Sequence, residues 1–412
     1  MYQLTPERER GLLWLLALTQ FTIIMDFMVM MPLGPQIMQA FAVSPAVFAT
    51  AVSAYAWCSG LSSLLAATYI DRFDRRRLML GVFVLFALSN LGCALAPNFH
   101  LLLFARAFAG LTGGVLASVV MAIVSDVIPN ERRGAATGTI MMSFSLAAVA
   151  GVPLGVYLGA KFGWASPFYL LVGFSVLIWI AAAYLLPTLD AHLARKPVPF
   201  NRVVPDLVAL IREPRHLNAY ILTFVIMASH MIVIPFISPV LVANYGVRPE
   251  QIPWIYMAGG AASLFTSRWL GRLADRYGKH LMFRITVLVS FVPILFLTHM
   301  PQGLPFLAIV AFFPLFMVAV SGRIIPLQAL LTTIPSQKQR GAFLSVNSAI
   351  QSLGTGCGAW LGGLLLTTTA DQRIVGYGIN GWVGVGLATL TLLWVGRLQS
   401  PAHAPEPVRA VE

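Results

Sequence analysis

An acidic side chain and an arginine lie at matching depths inside two apolar segments of this chain. Asp26 and Arg106 are each about eight residues from the predicted outer end of their segment, roughly 12 Å by helix rise. A charge near the centre of a bilayer costs at least about 2.5 kcal/mol, so its presence needs a reason. If the two residues pair, the arginine favours the ionised carboxylate while burial favours the neutral acid. We therefore expect Asp26 to carry a coupling proton, with a static ion pair between two helices as the alternative.

Four polar side chains lie inside apolar segments of the second half of the chain. Arg323 and His230 are candidates for contact with a substrate in a central cavity, although a lone histidine is more often a structural hydrogen-bonding group. Asn347 and Gln351 are one helical turn apart, so they share a helix face that either lines the cavity or joins helices. The methionine-rich run MDFMVMMP offers a pliable apolar wall for varied ligands.

These candidates belong to a chain with the composition of a membrane protein. Of its 412 residues 58% are hydrophobic and 10% are charged, against roughly 25% charged in a soluble domain. The mean hydropathy is +0.80. Apolar runs of about 20 residues, the length that crosses a bilayer as a helix, recur along the chain. We predict an all-α membrane protein with twelve transmembrane spans, at residues 11–33, 45–70, 78–97, 100–125, 135–160, 165–187, 217–243, 251–272, 281–300, 304–330, 341–366 and 378–398.

The sequence shows no sign of secretion, disulfide bonding or catalysis. The first span follows MYQLTPERERG without a cleavage motif, so we expect an uncleaved membrane helix. Cys58, Cys93 and Cys357 all fall in apolar segments, and an odd, buried set argues against a disulfide framework. Neither a nucleophile motif nor a nucleotide-binding loop nor a cluster of metal-ligating residues appears. We therefore expect no enzyme, no metal and no cofactor.

The net charge of +12 follows from where the basic residues lie. With both termini in the cytoplasm, Arg106 and Arg323 lie inside the membrane, and only Lys161, Arg248 and Arg373 of the 27 lysines and arginines fall on the outer side. This is the positive-inside pattern of a protein with an even number of spans. We expect an integral protein of a bacterial-type inner membrane, surrounded by lipid and binding no nucleic acid.

The longest connection between spans divides the chain into two halves. Residues 188–216 form a charged, proline-rich cytoplasmic loop, which separates an N-terminal six-helix bundle at 1–187 from a C-terminal one at 217–400. A cytoplasmic tail is predicted at 401–412.

Each half repeats motifs of the other. Asp71 and Arg72 after the second span match Asp275 and Arg276 after the eighth, and IPNERRGA after the fourth matches IPSQKQRGA after the tenth. Glycines spaced by four residues recur in spans five and eleven, at Gly151, Gly155 and Gly159 and at Gly354, Gly358 and Gly362. Two matching halves around a central loop are typical of a secondary transporter with its substrate site between the halves.

Several of these motifs resemble those of one family. GRLADRYGKH, residues 271–280, resembles the G-x-x-x-D-R-x-G-R/K loop of the major facilitator superfamily, while its first copy departs from that pattern at Ala67 and Asp74. FARAFAGLTGG resembles the R-x-x-x-G motif of span four. AGVPLGVYLG is similar to the span-five signature of drug and sugar exporters, with Gly151-Val152-Pro153 in place of a Gly-Pro pair. The resemblance covers essentially the whole chain.

This resemblance implies the major facilitator fold, with two pseudo-symmetric six-helix bundles that alternate between inward-open and outward-open states. The chain is most similar to the twelve-span proton-coupled exporters. The implied activity is export of a small organic solute or drug, including multidrug efflux, driven by the proton gradient. We expect the protein to act as a monomer. A facilitator or importer of a sugar, metabolite or organic anion, without proton antiport, is the alternative.

The two matching loops are candidates for a conformational latch. An aspartate beside a helix end can accept backbone N–H groups while arginines bridge to nearby acids, and Asp126 is a candidate partner for Arg72 or Arg75. Solvated topological anchors are the alternative. The candidate latch residues are Asp71, Arg72, Arg75, Asp126, Gly271, Asp275, Arg276 and Gly278. In span five we expect Gly151 and Gly155 to allow close packing of helices, and Pro153 to kink the helix and contribute to gating.

Overall fold

The computed structural model describes residues 5–129, 132–190, 193, 200–336 and 339–398. The predicted tail at 401–412 and part of the predicted central loop lie outside these residues.

The first half of the chain is built from helices that mostly begin at sequence-encoded caps. Ser44 caps α3, Asp74 accepts from the backbone N–H groups that begin α4, and Asn98 caps α5. The helices are α1 Pro6–Val29, α2 Gly34–Phe41, α3 Pro45–Tyr69, α4 Arg75–Ala94, α5 Phe99–Val127, α6 Arg133–Leu146, α7 Val152–Phe162 and α8 Ser166–Leu185.

The second half repeats this order after a helix in the central connection. The helices are α9 Phe200–Arg212, α10 Pro214–Met231, α11 Ile237–Tyr245, α12 Ile252–Tyr277, α13 Lys279–Thr298, α14 Phe306–Leu331, α15 Arg340–Leu364 and α16 Tyr377–Trp394. A short antiparallel hairpin, β1 Thr367–Thr368 and β2 Ile374–Val375, precedes α16.

Twelve spans can be traced through these helices. By length and composition, 10 helical segments of the described chain are apolar enough to cross a membrane; these include the joined pairs α6–α7 and α10–α11. The other two spans are α12 and α15, of 26 and 25 residues. Charged side chains crowd one end of α12, and α15 carries Asn347, Gln351 and several glycines. The predicted all-α fold with twelve spans is confirmed.

Two spans are interrupted within their predicted bounds. In the fifth, a π-helical turn at Ala147–Gly151 precedes Pro153, and the wider turn accommodates a residue that has no backbone N–H to donate. The seventh is broken between α10 and α11. Asn380 Nδ2 donates to the carbonyl oxygen of Ile232 at 2.8 Å, and Tyr377 Oη donates to that of Val233 at 3.2 Å. The break is therefore stable because side chains of α16 satisfy the carbonyls that it frees.

Two boundaries also differ from the sequence prediction. The first span begins at Pro6 and ends at Val29, because the chain turns before the short helix α2. The central connection contains α9, although it carries Pro205 within the helix. Its apolar side chains recur at helical spacing, which is typical of a helix lying on an apolar surface.

The hydrophobic core is shared between the halves at one end of the molecule only. We call the end at which α1 begins the basal face, and the opposite end, where α2 contacts α11, the distal face. Towards the distal face one cluster joins both halves; it includes Met30, Leu33, Phe48, Phe236 and Val240. Towards the basal face each half has a separate cluster. Leu64 of α3, in the first half, packs against the cluster of the second half. The two halves are therefore packed together distally and separate basally.

Glycines bring helices of the two halves into close contact. A Cβ on Gly60 of α3 would lie 2.9 Å from the carbonyl oxygen of Ala349 in α15. A Cβ on Gly260 of α12 would lie 2.8 Å from the carbonyl oxygen of Ala148 in the π-helical turn. These pairs, α3 with α15 and the fifth span with α12, form the interface between the halves.

Candidate functional site

Asp26 and Arg106 form a buried ion pair in the first half. Nη1 of Arg106 on α5 donates to Oδ1 of Asp26 on α1 at 2.5 Å, and the two side chains are 1% and 0% exposed. The guanidinium carbon lies 4.3 Å from the ring centroid of Tyr55 on α3 and 5.9 Å from that of Phe168 on α8. Since aromatic faces attract cations, the two rings add to the pairing with the carboxylate. The structure therefore brings together the two residues that the sequence placed at matching depths.

The ion pair is incompletely satisfied. Among the described residues, Oδ2 of Asp26 and Nε of Arg106 have no hydrogen-bonding partner. An Asp26 oxygen without a donor can accept a proton without breaking another hydrogen bond. Protonation would remove the charge that Arg106 faces and so change the electrostatics of the first half.

Tyr55 is a functional candidate that the sequence did not single out. Gly110 of α5 lies directly against the backbone of Tyr55, and this close approach of α3 to α5 places the tyrosine ring over Arg106. The Tyr55 hydroxyl donates to the carbonyl oxygen of Ile23 at 3.4 Å. In the sequence, an aromatic residue within an apolar span has no distinguishing signal, because most such residues pack in the core.

Arg323 and His230 adjoin each other in the second half. His230 lies in the last turn of α10, and its Nε2 is 3.1 Å from the carbonyl oxygen of Val320 on α14. Its Nδ1 is 2.5 Å from the carbonyl oxygen of Ile226. Arg323 is fully buried one turn along α14 from Val320, and among the described residues its three guanidinium nitrogens have no hydrogen-bonding partner.

Asn347 and Gln351 occupy different surroundings although they lie on one helix. Asn347 is buried, and its Oδ1 accepts from the hydroxyl of Thr223 on α10 at 2.9 Å. Gln351 is half-buried. Asn347 therefore joins α15 to α10 in this conformation.

The first of the matching loops contains a charge network centred on Arg75. Nη2 of Arg75 is 2.5 Å from Asp71, Nε is 2.9 Å from Asp126, and Nη1 donates to the carbonyl oxygen of Ile70 at 2.6 Å. Arg75 is buried, although it begins α4 at the basal face. Arg75, one of the two arginines proposed as partners of Asp126, makes a direct contact with it. Arg72 lies in the 3-10 turn that precedes it.

The second loop has the same aspartate in a different setting. Asp275 and Arg276 are exposed at the end of α12, and the Arg276 guanidinium carbon is 5.4 Å from the ring centroid of Tyr277. Gly278, with φ of +92°, links α12 directly to α13. Gly271 lies within α12, with nothing near the position of a Cβ.

The two loops also differ in the residue at the end of the neighbouring span. Asp126 precedes Gly134 by the same number of residues as Thr333 precedes Gly341. In the second half a threonine therefore takes the place of the acid that Arg75 binds. A cavity of about 280 Å³ beside the second loop is lined by Asp275, Lys279 and Thr333, among others.

The glycines of span five pack against α1. Gly155 lies against Val29, and a Cβ on Gly151 would lie 3.2 Å from the Phe21 ring. Pro153 is buried directly after the π-helical turn.

Among the described residues, no group of three or more His, Cys, Asp or Glu side chains is placed to hold a metal ion. The three cysteines are free.

The chain matches known proteins along most of its length. The family model described as Major Facilitator Superfamily matches residues 16–218 and 219–412. A probable sugar efflux transporter of Mannheimia succiniciproducens is 28% identical, over 83% of this chain and 82% of the relative. One of Helicobacter pylori is 27% identical, over 87% of this chain and 88% of the relative.

Solved structures share the fold. A D-xylose–proton symporter superposes with a TM-score of 0.74 at 14% identity, over 92% of this chain and 96% of the symporter. A bacterial homologue of the human lysosomal transporter Spinster has a TM-score of 0.71 at 16% identity and covers 96% of both chains. With two matched repeats, twelve traced spans and these neighbours, the chain belongs to the Major Facilitator Superfamily of membrane transporters.

Proposed function

We propose that this transporter exports a sugar from a bacterial cell in exchange for protons, with Asp26 as the proton carrier. Membership of the family makes the chain a membrane transporter and not an enzyme. The sugar is proposed because curated relatives that match more than four-fifths of the chain are named probable sugar efflux transporters. The observation that carries the coupling is the buried Asp26–Arg106 pair, with its second carboxylate oxygen open to a proton.

The orientation that we propose places the basal face in the cytoplasm of a bacterial inner membrane. The basic loop residues on that face, Arg75–Arg77 and Arg272 with its neighbours, support this orientation because arginines are retained on the cytoplasmic side. With that orientation, the separate basal cores and the shared distal core correspond to a transporter that opens towards the cytoplasm.

Proton coupling is proposed to act through the ion pair. When Asp26 is ionised, Arg106 holds it and links α1 to α5. When Asp26 is protonated, the Coulombic attraction is lost and α1 is freer to move relative to α5. A solute that binds better to one of these states becomes linked to the proton gradient.

The loop residues are proposed as a latch that stabilises the basally open state. Arg75 joins α4 to the end of α5 through Asp126, and this contact lies on the face where the halves separate. Its counterpart in the second half has Thr333 in place of the acid, so the proposed latch is stronger in the first half. Pro153 and the π-helical turn, which α12 contacts, are proposed as a flexible joint in span five.

The deciding experiment is transport by Asp26→Asn in everted membrane vesicles. The amide resembles the protonated acid, so the variant should fold, exchange sugar down its gradient and fail to accumulate sugar against it when a proton gradient is imposed. Asp371→Asn, in the exposed hairpin, removes one carboxylate elsewhere and should accumulate sugar normally. Proton-driven accumulation by Asp26→Asn at a near wild-type rate would show that Asp26 is structural.

A second variant separates coupling from folding. Truncating one partner of a buried ion pair costs about 3–5 kcal/mol because it leaves the other charge unpaired. Asp26→Asn combined with Arg106→Gln removes both charges, so the double variant should be destabilised by less than the sum of the single changes. Thermal unfolding of the purified proteins measures this, and additive losses would contradict a direct ion pair.

A further inference from the structure

Arg323 is a buried cation that has no anionic partner among the described residues. It lies within α14, which spans Phe306–Leu331, and its side chain is 0% exposed. Among the described residues, Nε, Nη1 and Nη2 all lack hydrogen-bonding partners. Because a guanidinium does not lose its proton in proteins, the site carries a full positive charge in every state. It therefore differs from Arg106, whose charge Asp26 balances at 2.5 Å.

The acids of the chain are poorly placed to compensate this charge. In the sequence Asp26 is the only acidic residue well inside a span, and it is held by Arg106. The broken end of α10 offers only partial negative charge from its last carbonyl groups. A full charge in the centre of a bilayer is costly. The helix end therefore offsets only part of the cost, and an anion is the group that would offset the rest.

His230 does not balance the charge of Arg323. Both of its ring nitrogens face backbone carbonyl oxygens, of Ile226 at 2.5 Å and of Val320 at 3.1 Å. An imidazole ring supplies no negative charge, whether it carries one N–H or two. An anion that balances Arg323 must therefore come from elsewhere, as from a bound ligand.

The position of this cluster suits a ligand of a transporter. His230 is the residue before Met231, where α10 ends and the seventh span breaks. Ligand sites of transporters form at such interrupted helices, where packing can open without loss of a continuous hydrogen-bonded helix. Thr223 of α10 and Asn347 of α15 are neutral polar side chains that hydrogen-bond to each other, two turns of α10 nearer its basal end than His230.

From this cluster we infer that the transported solute carries a carboxylate or phosphate group that binds Arg323, so the substrate is an acidic sugar derivative. The inference rests on the proposed sugar export. The anionic oxygens would take the bidentate place that a protein carboxylate takes at other buried arginines. The hydroxyl groups of the sugar would hydrogen-bond to neutral polar side chains.

The test compares sugars that differ in one group. Purified full-length protein is titrated by calorimetry with glucose, with glucuronate and with glucose 6-phosphate, at constant ionic strength set by sodium chloride. We expect at least one acidic sugar to bind about tenfold or more tightly than glucose, because a hydrogen-bonded charge contributes about 1.5–3 kcal/mol. A preference for glucuronate alone identifies a carboxylate, and a preference for glucose 6-phosphate alone identifies a phosphate.

Arg323→Gln should remove the preference, lowering the affinity for the acidic sugar about tenfold, to near that for glucose. The control, Arg373→Gln, removes the same charge from the exposed hairpin instead of from α14 and should keep the preference. Because Arg323→Gln removes an unpaired buried charge, its thermal midpoint without ligand should be equal to or above that of the wild type. A second readout that does not need the variant is the thermal midpoint of wild-type protein, which acidic sugars should raise more than glucose.

The inference is overturned if neither acidic sugar binds more tightly than glucose, or if the preference survives in Arg323→Gln. Vesicle transport distinguishes this from failure of the proposed function. Proton-driven accumulation of glucose, without accumulation of either acidic sugar, would leave sugar export standing and reject the anionic substrate.

Discussion

Gly260 of α12 packs against the carbonyl oxygen of Ala148, inside the π-helical turn of the fifth span. A Cβ at this glycine would lie 2.8 Å from that oxygen, which is closer than such atoms approach. The contact joins the two halves at the place where the fifth span departs from regular helical geometry. Any side chain at position 260 must therefore displace the turn or separate the halves.

Gly260→Leu should consequently weaken the interface between the halves. Overpacking of this kind costs about 1–3 kcal/mol, so the thermal midpoint and the transport rate should both fall. Gly173→Leu is the matched control, because Gly173 is an exposed glycine of α8 with open space around it. Equal effects of the two substitutions would show that the Gly260 contact does not hold the halves together.

The Arg75 network should be energetically coupled. In a double-mutant cycle of Arg75→Gln and Asp126→Asn, we expect a coupling energy of about 0.5–3 kcal/mol, since Arg75 is 4% exposed and binds Asp126 at 2.9 Å. The pair of Arg132 and Glu9, at 2.8 Å and with the Arg132 side chain 60% exposed, is the control, and surface pairs contribute about 0–1 kcal/mol. Chemical unfolding of the purified proteins supplies the four free energies of each cycle. If the coupling energy were no larger than that of the Arg132–Glu9 pair, Arg75 would serve only to keep its loop on one side of the membrane.

Gly278 should tolerate no side chain, whereas Gly271 should. Gly278 has φ of +92°, a conformation that costs an L-residue on the order of 1 kcal/mol or more. Gly271 is helical with open space at its Cβ position, so Gly271→Ala should be neutral or stabilising by about 0.5–1 kcal/mol. Thermal unfolding and transport of the two alanine variants check this. If Gly278→Ala matched Gly271→Ala, the loop would be free to adopt another backbone conformation.

The proposed orientation predicts which loops react from outside the cell. In a cysteine-free background, a cysteine replacing the exposed Gln302 on the distal face should react with an impermeant thiol reagent in intact cells. One replacing the exposed Thr332 on the basal face should react only after the membrane is opened. The opposite pattern of labelling would invert the orientation, and with it the direction in which the described conformation opens.

Much of the architecture is determined by the sequence itself. Apolar runs long enough to cross a bilayer, the central connection and the matching loops predict twelve spans in two halves, because hydrocarbon thickness and helix rise leave little freedom. The same rise places Asp26 and Arg106 at one depth, and their pairing follows since an isolated charge there is costly.

Only the tertiary structure decided which neighbours these residues meet. The approach of α3 to α5 at Gly110 places Tyr55 over Arg106, and the contact of His230 on α10 with Val320 on α14 brings the imidazole within one helical turn of Arg323. Arg75 contacts Asp126 because the 3-10 turn sets where α4 begins. Hydropathy and helix rise specify depth in the membrane. The rotation of each helix and the breaks within spans five and seven depend on side-chain packing between segments far apart in the chain, which single-segment patterns do not contain.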